Sequence, residues 1–184
     1  LRLLNKDREY PSDVPEGYLD AHTQGLRLLR VAAAVRAETG RETMGALYTR
    51  FGEQIWNRRP EEVDGRLGAI ADVATATVPA VLDELGLPAR LASAVDDESW
   101  DVLLQAETDE ALRRTGDDVG TPILTFEPPD GVSFFGPVIS RVPADEDALR
   151  LWDAVIELAS WPGFAELKRS LRELPQLPLL GSAG

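Results

Sequence analysis

The sequence predicts an α/β fold in which a block of helices is followed by a β-hairpin and two more helices. Between residues 16 and 114 the apolar residues recur at the spacing typical of helices. Two β-prone segments, 121–126 and 132–135, flank Glu127-Pro128-Pro129-Asp130-Gly131, which is a strong turn signal. Because a two-stranded hairpin is marginally stable alone, we expect further strands to complete its sheet.

The chain is predicted to open with the end of a strand and two long helices. Residues 1–4 indicate the strand end, which we expect to share one sheet with the hairpin. Charged and turn-forming residues then indicate a surface loop up to residue 15. Helices are predicted over 16–39 and 42–58, with Gly40 ending the first. The expected buried residues are Leu28, Val31, Ala32 and Val35 in the first helix and Leu47, Phe51 and Ile55 in the second.

Shorter helices are predicted to fill the middle of the chain. The interrupted apolar pattern over 60–77 indicates a short helix. The next helix is predicted to have Thr77 as its N-cap, Pro79 in its first turn and Gly86 after its end. Two more are predicted, one opened by Pro88 and one that runs from Asp97 or Ser99 to about residue 114.

The C-terminal part is predicted to contain two amphipathic helices. Acidic residues 145–147 suit the first turn of a helix, because the amino end of a helix carries a partial positive charge. A last helix is predicted from about residue 160 to 172, followed by an extended tail. The expected buried residues are Leu149, Trp152, Ile156 and Ala159 in the first of these helices and Phe164, Leu167 and Leu171 in the second.

Composition excludes several classes of function. The sequence has 184 residues, and its 32 acidic against 19 basic residues give a formal net charge of -13. Such a charge repels a phosphate backbone and an anionic membrane surface. No apolar run approaches the ~18 residues of a membrane span, and no signal-peptide pattern opens the chain. We therefore expect a soluble, cytoplasmic protein that binds neither nucleic acid nor membranes.

The residues that bind metals or act as nucleophiles are nearly absent. The sequence has no cysteine and a single histidine, His22, which we expect to be exposed on a polar helix face. The glycines form neither a Walker loop nor a dinucleotide fingerprint, so neither a metal nor a tightly bound cofactor is expected. The four tryptophans fall on apolar helix faces and indicate core or interface anchors. Because the chain starts at Leu1 and its only methionine is Met44, we expect a segment upstream.

Several motifs resemble a known family. They are the run 117–122 (Asp-Asp-Val-Gly-Thr-Pro), Phe134-Phe135-Gly136-Pro137, Leu151-Trp152 and Trp161-Pro162, with Leu4-Asn5 and Tyr18 nearer the start. Together they resemble DsbA-like thioredoxin-fold oxidoreductases and, within that superfamily, the actinobacterial mycothiol-dependent nitroreductase group.

The resemblance implies a thioredoxin-like fold with a large helical insertion. The parts would be the end of a thioredoxin-fold strand and its loop over 1–15, a helical insertion domain over 16–116, and the C-terminal part of the thioredoxin fold over 117–184. The first β-α unit, with a catalytic Cys-x-x-Cys at its helix start, would lie upstream of Leu1. No residue of this chain would then be the nucleophile, and the chain alone is expected to be inactive.

The resemblance also implies four substrate-binding residues. Pro122 would be a cis-proline facing the catalytic sulfur, and Thr121 would present its backbone to a bound thiol compound. Asn5 matches an asparagine near the pocket, although a turn-forming role is equally open. Tyr18 would direct its hydroxyl into the same cleft, with packing of the insertion as the alternative.

The implied activity is thiol–disulfide oxidoreduction. Mycothiol or glutathione would serve as co-substrate, and the protein would reduce a disulfide or a small electrophile. Two alternatives remain open: a thiol-dependent isomerase or transferase of the hydroxychromene-carboxylate isomerase or kappa-class type, and a non-catalytic thioredoxin-like binding module. A homodimer is a further possibility.

Overall fold

The structure is a computed structural model, which describes residues 1–6, 17–59, 75–171, 173 and 175–180. The helices are α1 (Tyr18–Thr39), α2 (Met44–Trp56), α3 (Val78–Glu84), α4 (Asp101–Thr115) and α5 (Asp145–Ser160), with 3-10 helices at Ala89–Asp96, Glu98–Trp100 and Pro178–Leu180. The strands are β1 (Ile123–Thr125) and β2 (Ser133–Phe135). Within this described part, no helix has both the length and the apolar character needed to cross a membrane.

The chain divides into two compact units. The first contains Leu1–Thr108 and the tail from Leu177, and the second contains Asp109–Gln176. The helix predicted over 60–77 falls mainly on residues outside the described part of the chain. The three-part domain division of the sequence stays a prediction.

The core of the first unit is built from the apolar faces of three helices. Val31 and Val35 of α1 are fully buried, and they pack in one cluster with Leu47 of α2 and Leu82 of α3. The spacing of four residues between the two valines brings them onto one side of α1. The faces predicted for the first two helices are therefore confirmed. Burying each such side chain contributes roughly 1.5–3 kcal/mol.

The helix ends follow their predicted signals in most places. Gly40 ends α1 with a φ of 84°, and Gly86 follows α3 with a φ of 64°; glycine adopts such angles without steric cost. The side chain of Asp97 accepts a hydrogen bond from the backbone N–H of Ser99 at 3.0 Å and so starts the segment that leads into α4. Thr77 occupies the N-cap position of α3 but makes no side-chain capping hydrogen bond.

A bidentate ion pair ties α1 to the start of α4. The Nε and Nη2 atoms of Arg30 donate to the two carboxylate oxygens of Asp101, each at 2.7 Å. This hydrogen bonding raises the pKa of the Arg30 guanidinium. Glu98 is a weaker partner, 3.7 Å from Nη2. Because Arg30 is only 8% exposed, the charge depends on these acids rather than on water.

Asp101→Ala should therefore destabilise the first unit by about 2–3 kcal/mol, since it leaves a buried guanidinium without its bidentate partner. Asp96→Ala is the matched control, because Asp96 pairs with Arg27 one turn earlier on α1 and its side chain is 73% exposed. The control should cost less than about 1 kcal/mol. Urea unfolding followed by circular dichroism measures both values. Equal losses would contradict the role assigned to Arg30.

The second unit contains the predicted hairpin. Strands β1 and β2 pair antiparallel, with Ile123 opposite Phe135 and Thr125 opposite Ser133. The hydroxyls of the latter pair lie 2.9 Å apart and form a hydrogen bond. The hairpin predicted from the turn sequence is thus confirmed, with strands of three residues each.

Gly131 closes this hairpin. A Cβ atom at position 131 would lie 1.6 Å from the carbonyl oxygen of Phe126. The same segment is held by a hydrogen bond of 2.9 Å from the backbone N–H of Phe126 to the carbonyl of Val132. The turn thus requires glycine because the backbone on its opposite side comes too close for any side chain.

Gly131→Ala should open the turn at a cost of about 2 kcal/mol, which corresponds to a roughly 30-fold loss of protection for the Phe126 amide. Gly25→Ala is the control, because among the described residues, the neighbouring backbone of α1 aside, no atom lies within 4 Å of a Cβ built at position 25. The control should stabilise α1 by roughly 0.5–1 kcal/mol. Amide hydrogen exchange reports on both sites, and unchanged protection of Phe126 in the first variant would refute the close approach.

The strand predicted over 1–4 is wrong. Residues 2–6 form turns, in which the N–H of Asn5 donates to the carbonyl of Leu1 at 3.0 Å and that of Lys6 to Leu3 at 3.2 Å. These local bonds use backbone groups that a strand directs to a neighbouring strand. Among the described residues, the sheet contains β1 and β2 alone.

The helix predicted over 160–172 is also wrong. The described residues from 161 to 171 are not helical, and Leu167 and Leu171 are more than 80% exposed. Gly163 has a φ of 80°, which interrupts helical backbone directly after Pro162. The remaining stretch is shorter than the ~12 residues that sustain an isolated helix. Of the residues expected to be buried here, only Phe164 follows the prediction in part. It is half-buried, and its ring stacks on that of Phe134 with the ring centroids 5.8 Å apart.

The burial predicted for α5 is largely wrong, and the tryptophans, predicted as core or interface anchors, lie partly in the core and partly at the surface. Ala159 is buried, but Leu149 is 71% exposed, because two strands of three residues offer little surface for a 16-residue helix to cover. Trp161 is 68% exposed. Trp100 packs against the core of the first unit. The ring of Trp152 packs against that of Phe126, with the ring centroids 5.9 Å apart.

Candidate functional site

The segment Thr121–Pro122 leads directly into β1. Both residues are exposed, and the peptide bond between them is cis. The carbonyl of Pro122 accepts a hydrogen bond of 2.8 Å from the N–H of Gly136, next to the first residue pair of the hairpin, Ile123 and Phe135. The hairpin therefore fixes this segment through the backbone and leaves both side chains accessible.

Gly120 brings this segment onto an aromatic ring. A Cβ atom at Gly120 would lie 3.2 Å from the Cε2 and Cζ atoms of Phe135, which is tighter than ordinary contact. Sequence reasoning did not identify this pair. The only signal was the combination of Gly120 before the Thr-Pro pair and an aromatic residue in β2, and the contact itself depends on the hairpin register.

An arginine holds the turn of the hairpin. Nη1 of Arg114, at the end of α4, donates to the carbonyl of Pro129 at 2.7 Å. Its Nε donates to Glu110 at 2.7 Å, and Arg113 donates to both oxygens of the same carboxylate. These hydrogen bonds lower the pKa of Glu110 to about 2, from an ordinary value of 4.5. Glu110 is therefore the anion that orients Arg114 toward the hairpin.

Glu110→Gln should loosen the hairpin turn, because Arg114 loses the charge that orients it. Since the folded pKa of Glu110 is depressed to about 2, the native contact should persist at pH 4 and be lost only as the pH falls through that value. Hydrogen exchange of the Gly131 amide, which bonds to the carbonyl of Glu127, measures the effect. A Glu110 carboxyl that titrates near 4.5 by carbon NMR would show that the arginines do not hold it.

The two other predicted site residues belong to the first unit. Asn5 is half-buried in the turns that open the chain, and its backbone N–H is bonded to Leu1. Tyr18 is the first residue of α1 and is also half-buried. Gly17 precedes it with a φ of 78°, so a left-handed residue sets the direction in which the chain enters the helix.

His22 differs from its predicted exposure. It lies one helical turn after Tyr18, is half-buried, and its ring centroid is 4.1 Å from that of Tyr18. Its Nδ1 atom is buried and has no hydrogen-bond partner among the residues that the structure describes. Desolvation is the main cause that lowers the pKa of His22, and the charge of Arg2 lowers it further. The neutral imidazole is therefore the favoured form.

The structure thus places Thr121 and Pro122 in the second unit and Asn5 and Tyr18 in the first. Their joint role in binding stays a prediction. Within the described ranges, no group of three or more acidic or histidine side chains is arranged to hold a metal ion. An open cavity of about 390 Å³ lies at the end of α5, and the residues that line it are Asp153, Ile156, Glu157, Ser160, Trp161 and Pro162.

Comparison with known families defines the class of protein. The family model described as Rv2466c-like, "Mycothiol-dependent nitroreductase Rv2466c", matches residues 1–169. Because the match covers most of the 184 residues, the chain belongs to this family, a group of mycothiol-dependent reductases. The resemblance to the nitroreductase group is confirmed at this level. The wider DsbA-like thioredoxin-fold assignment stays a prediction.

Proposed function

We propose that this chain binds a low-molecular-weight thiol and serves in the thiol-dependent reduction of small electrophiles or disulfides, on a DsbA-like thioredoxin fold. The observation that supports the proposal is its family membership over residues 1–169. The family description favours mycothiol over glutathione as the thiol and a nitro compound as the electrophile.

The reaction balances with two thiols for each two-electron step. Two thiol molecules lose two protons and two electrons and join in one disulfide. A nitro group that takes up both protons and both electrons becomes a nitroso group and releases water. The attacking species in such exchange is a thiolate, because the neutral thiol is a poor nucleophile.

The residues of this chain would contribute binding rather than the sulfur. The sequence contains no cysteine, and the thioether of Met44 does not form a thiolate. A Cys-x-x-Cys helix is the proposed source of the nucleophile, so the 184 residues alone are expected to bind the thiol compound without turning it over. Thr121 and Pro122 would offer backbone groups to the thiol compound, and Asn5 and Tyr18 would offer side-chain hydrogen bonds.

Tyr18→Phe should weaken the binding of mycothiol about fivefold, the size expected for loss of one hydrogen bond. Tyr48→Phe is the matched control, because Tyr48 on α2 is 83% exposed and is assigned no role. Asn5→Ala should act in the same direction as Tyr18→Phe, and Asn57→Ala should not. Isothermal titration of each variant with mycothiol, and with glutathione for comparison, measures the dissociation constants.

Two outcomes would contradict the proposal. The first is equal binding by Tyr18→Phe and Tyr48→Phe, which would remove Tyr18 from the binding residues. The second is the absence of mycothiol binding by the unaltered chain, which would remove the proposed function as a whole.

A further inference from the structure

We propose that His22 is a positioning residue, whose neutral imidazole packs against the ring of Tyr18 and holds that ring in the orientation in which it contacts the thiol compound. The inference rests on the proposed function, because the contact of Tyr18 with the thiol belongs to that proposal. It concerns a residue that sequence reasoning assigned to solvent.

The geometry of the pair supports this role. Tyr18 and His22 are four residues apart on α1, which places their side chains on the same side of the helix. Their ring centroids are 4.1 Å apart, with planes inclined at 59°. Such tilted contacts between rings add specific attraction to simple burial. Tyr18 is the first residue of its helix, and the ring of His22 packs against its ring from one helical turn later.

The unpartnered Nδ1 atom indicates that this edge of the His22 ring is used for packing. A ring nitrogen that served as a ligand or proton carrier would face a partner or solvent. Here Nδ1 is buried and makes no hydrogen bond to any part of the chain that the structure describes. Protonation would place a charge on a ring that has the positive charge of Arg2 nearby. The charged form should therefore leave this packed position.

This arrangement makes Tyr18 sensitive to pH. Burial is the largest cause that lowers the pKa of His22 below its ordinary value of 6.5, so the neutral imidazole persists to a lower pH than in an exposed histidine. The packed pair is complete above that pH and is lost as the pH falls through the lowered pKa.

The test compares three forms of the full 184-residue chain by titration with mycothiol. His22→Ala should weaken binding about fivefold at neutral pH, the size expected for loss of one aromatic pair. His22→Phe should keep the affinity within about twofold, because it retains a ring and removes an unpartnered nitrogen. As the pH falls from about 7.5 through the lowered pKa of His22, affinity should fall in the unaltered chain and stay level in His22→Phe.

The same samples separate failure of this inference from failure of the proposed function. His22 is the only histidine, so its ring signals are unambiguous in NMR spectra. In the absence of ligand, the ring protons of Tyr18 should shift with the same midpoint as those of His22. Unchanged affinity in His22→Ala, or Tyr18 signals that ignore the His22 titration, would overturn the positioning role. If the unaltered chain binds no mycothiol, the proposed function fails, and the Tyr18 signals still decide whether His22 positions that ring.

Discussion

Burial of one side of α1 is the constraint on which the first unit depends. Val31 and Val35 are fully buried against α2 and α3, and Arg30 beside them is neutralised by Asp101 at the start of α4. The same continuous helix carries Tyr18 and His22 at its amino end. Because a helix transmits its position along its length, packing about three turns away fixes where the backbone of these two residues lies. The packing that stabilises the core therefore also positions the candidate binding residues of this unit.

The second unit depends on close backbone approach instead of a large core. Gly131 allows the turn to close on Phe126, and Gly120 allows the segment before β1 to lie against Phe135. Arg114 holds the turn from outside, with Glu110 as its fixed counter-charge. A side chain at position 131 would displace the hairpin turn, and one at position 120 would press on the ring of Phe135. Glycines that allow close approach thus determine the structure of this unit, whereas buried aliphatic side chains determine that of the first.

The sequence predicted the elements that neighbouring residues determine. It did not predict the features that depend on contacts with distant parts of the chain. Apolar spacing was sufficient for α1 and α2, and the turn sequence was sufficient for the hairpin. The last predicted helix had equally good spacing, yet Leu167 and Leu171 remain exposed because a periodic pattern does not show what covers it. Thr121 and Tyr18 became candidates only through resemblance to a family. The contact between His22 and Tyr18 was within reach from their spacing of four residues, but the burial of Nδ1 depends on the folded chain.

The central proposal is that this chain binds a low-molecular-weight thiol, and amide chemical-shift mapping tests it most directly. Mycothiol added to the ¹⁵N-labelled chain should shift the amides of Thr121, Asn5 and Tyr18 and leave that of Tyr48 unchanged. The open cavity at the end of α5 offers a competing location, marked by Ile156 and Trp161. Shifts confined to Ile156 and Trp161, with none at Thr121 or Tyr18, would contradict the proposal.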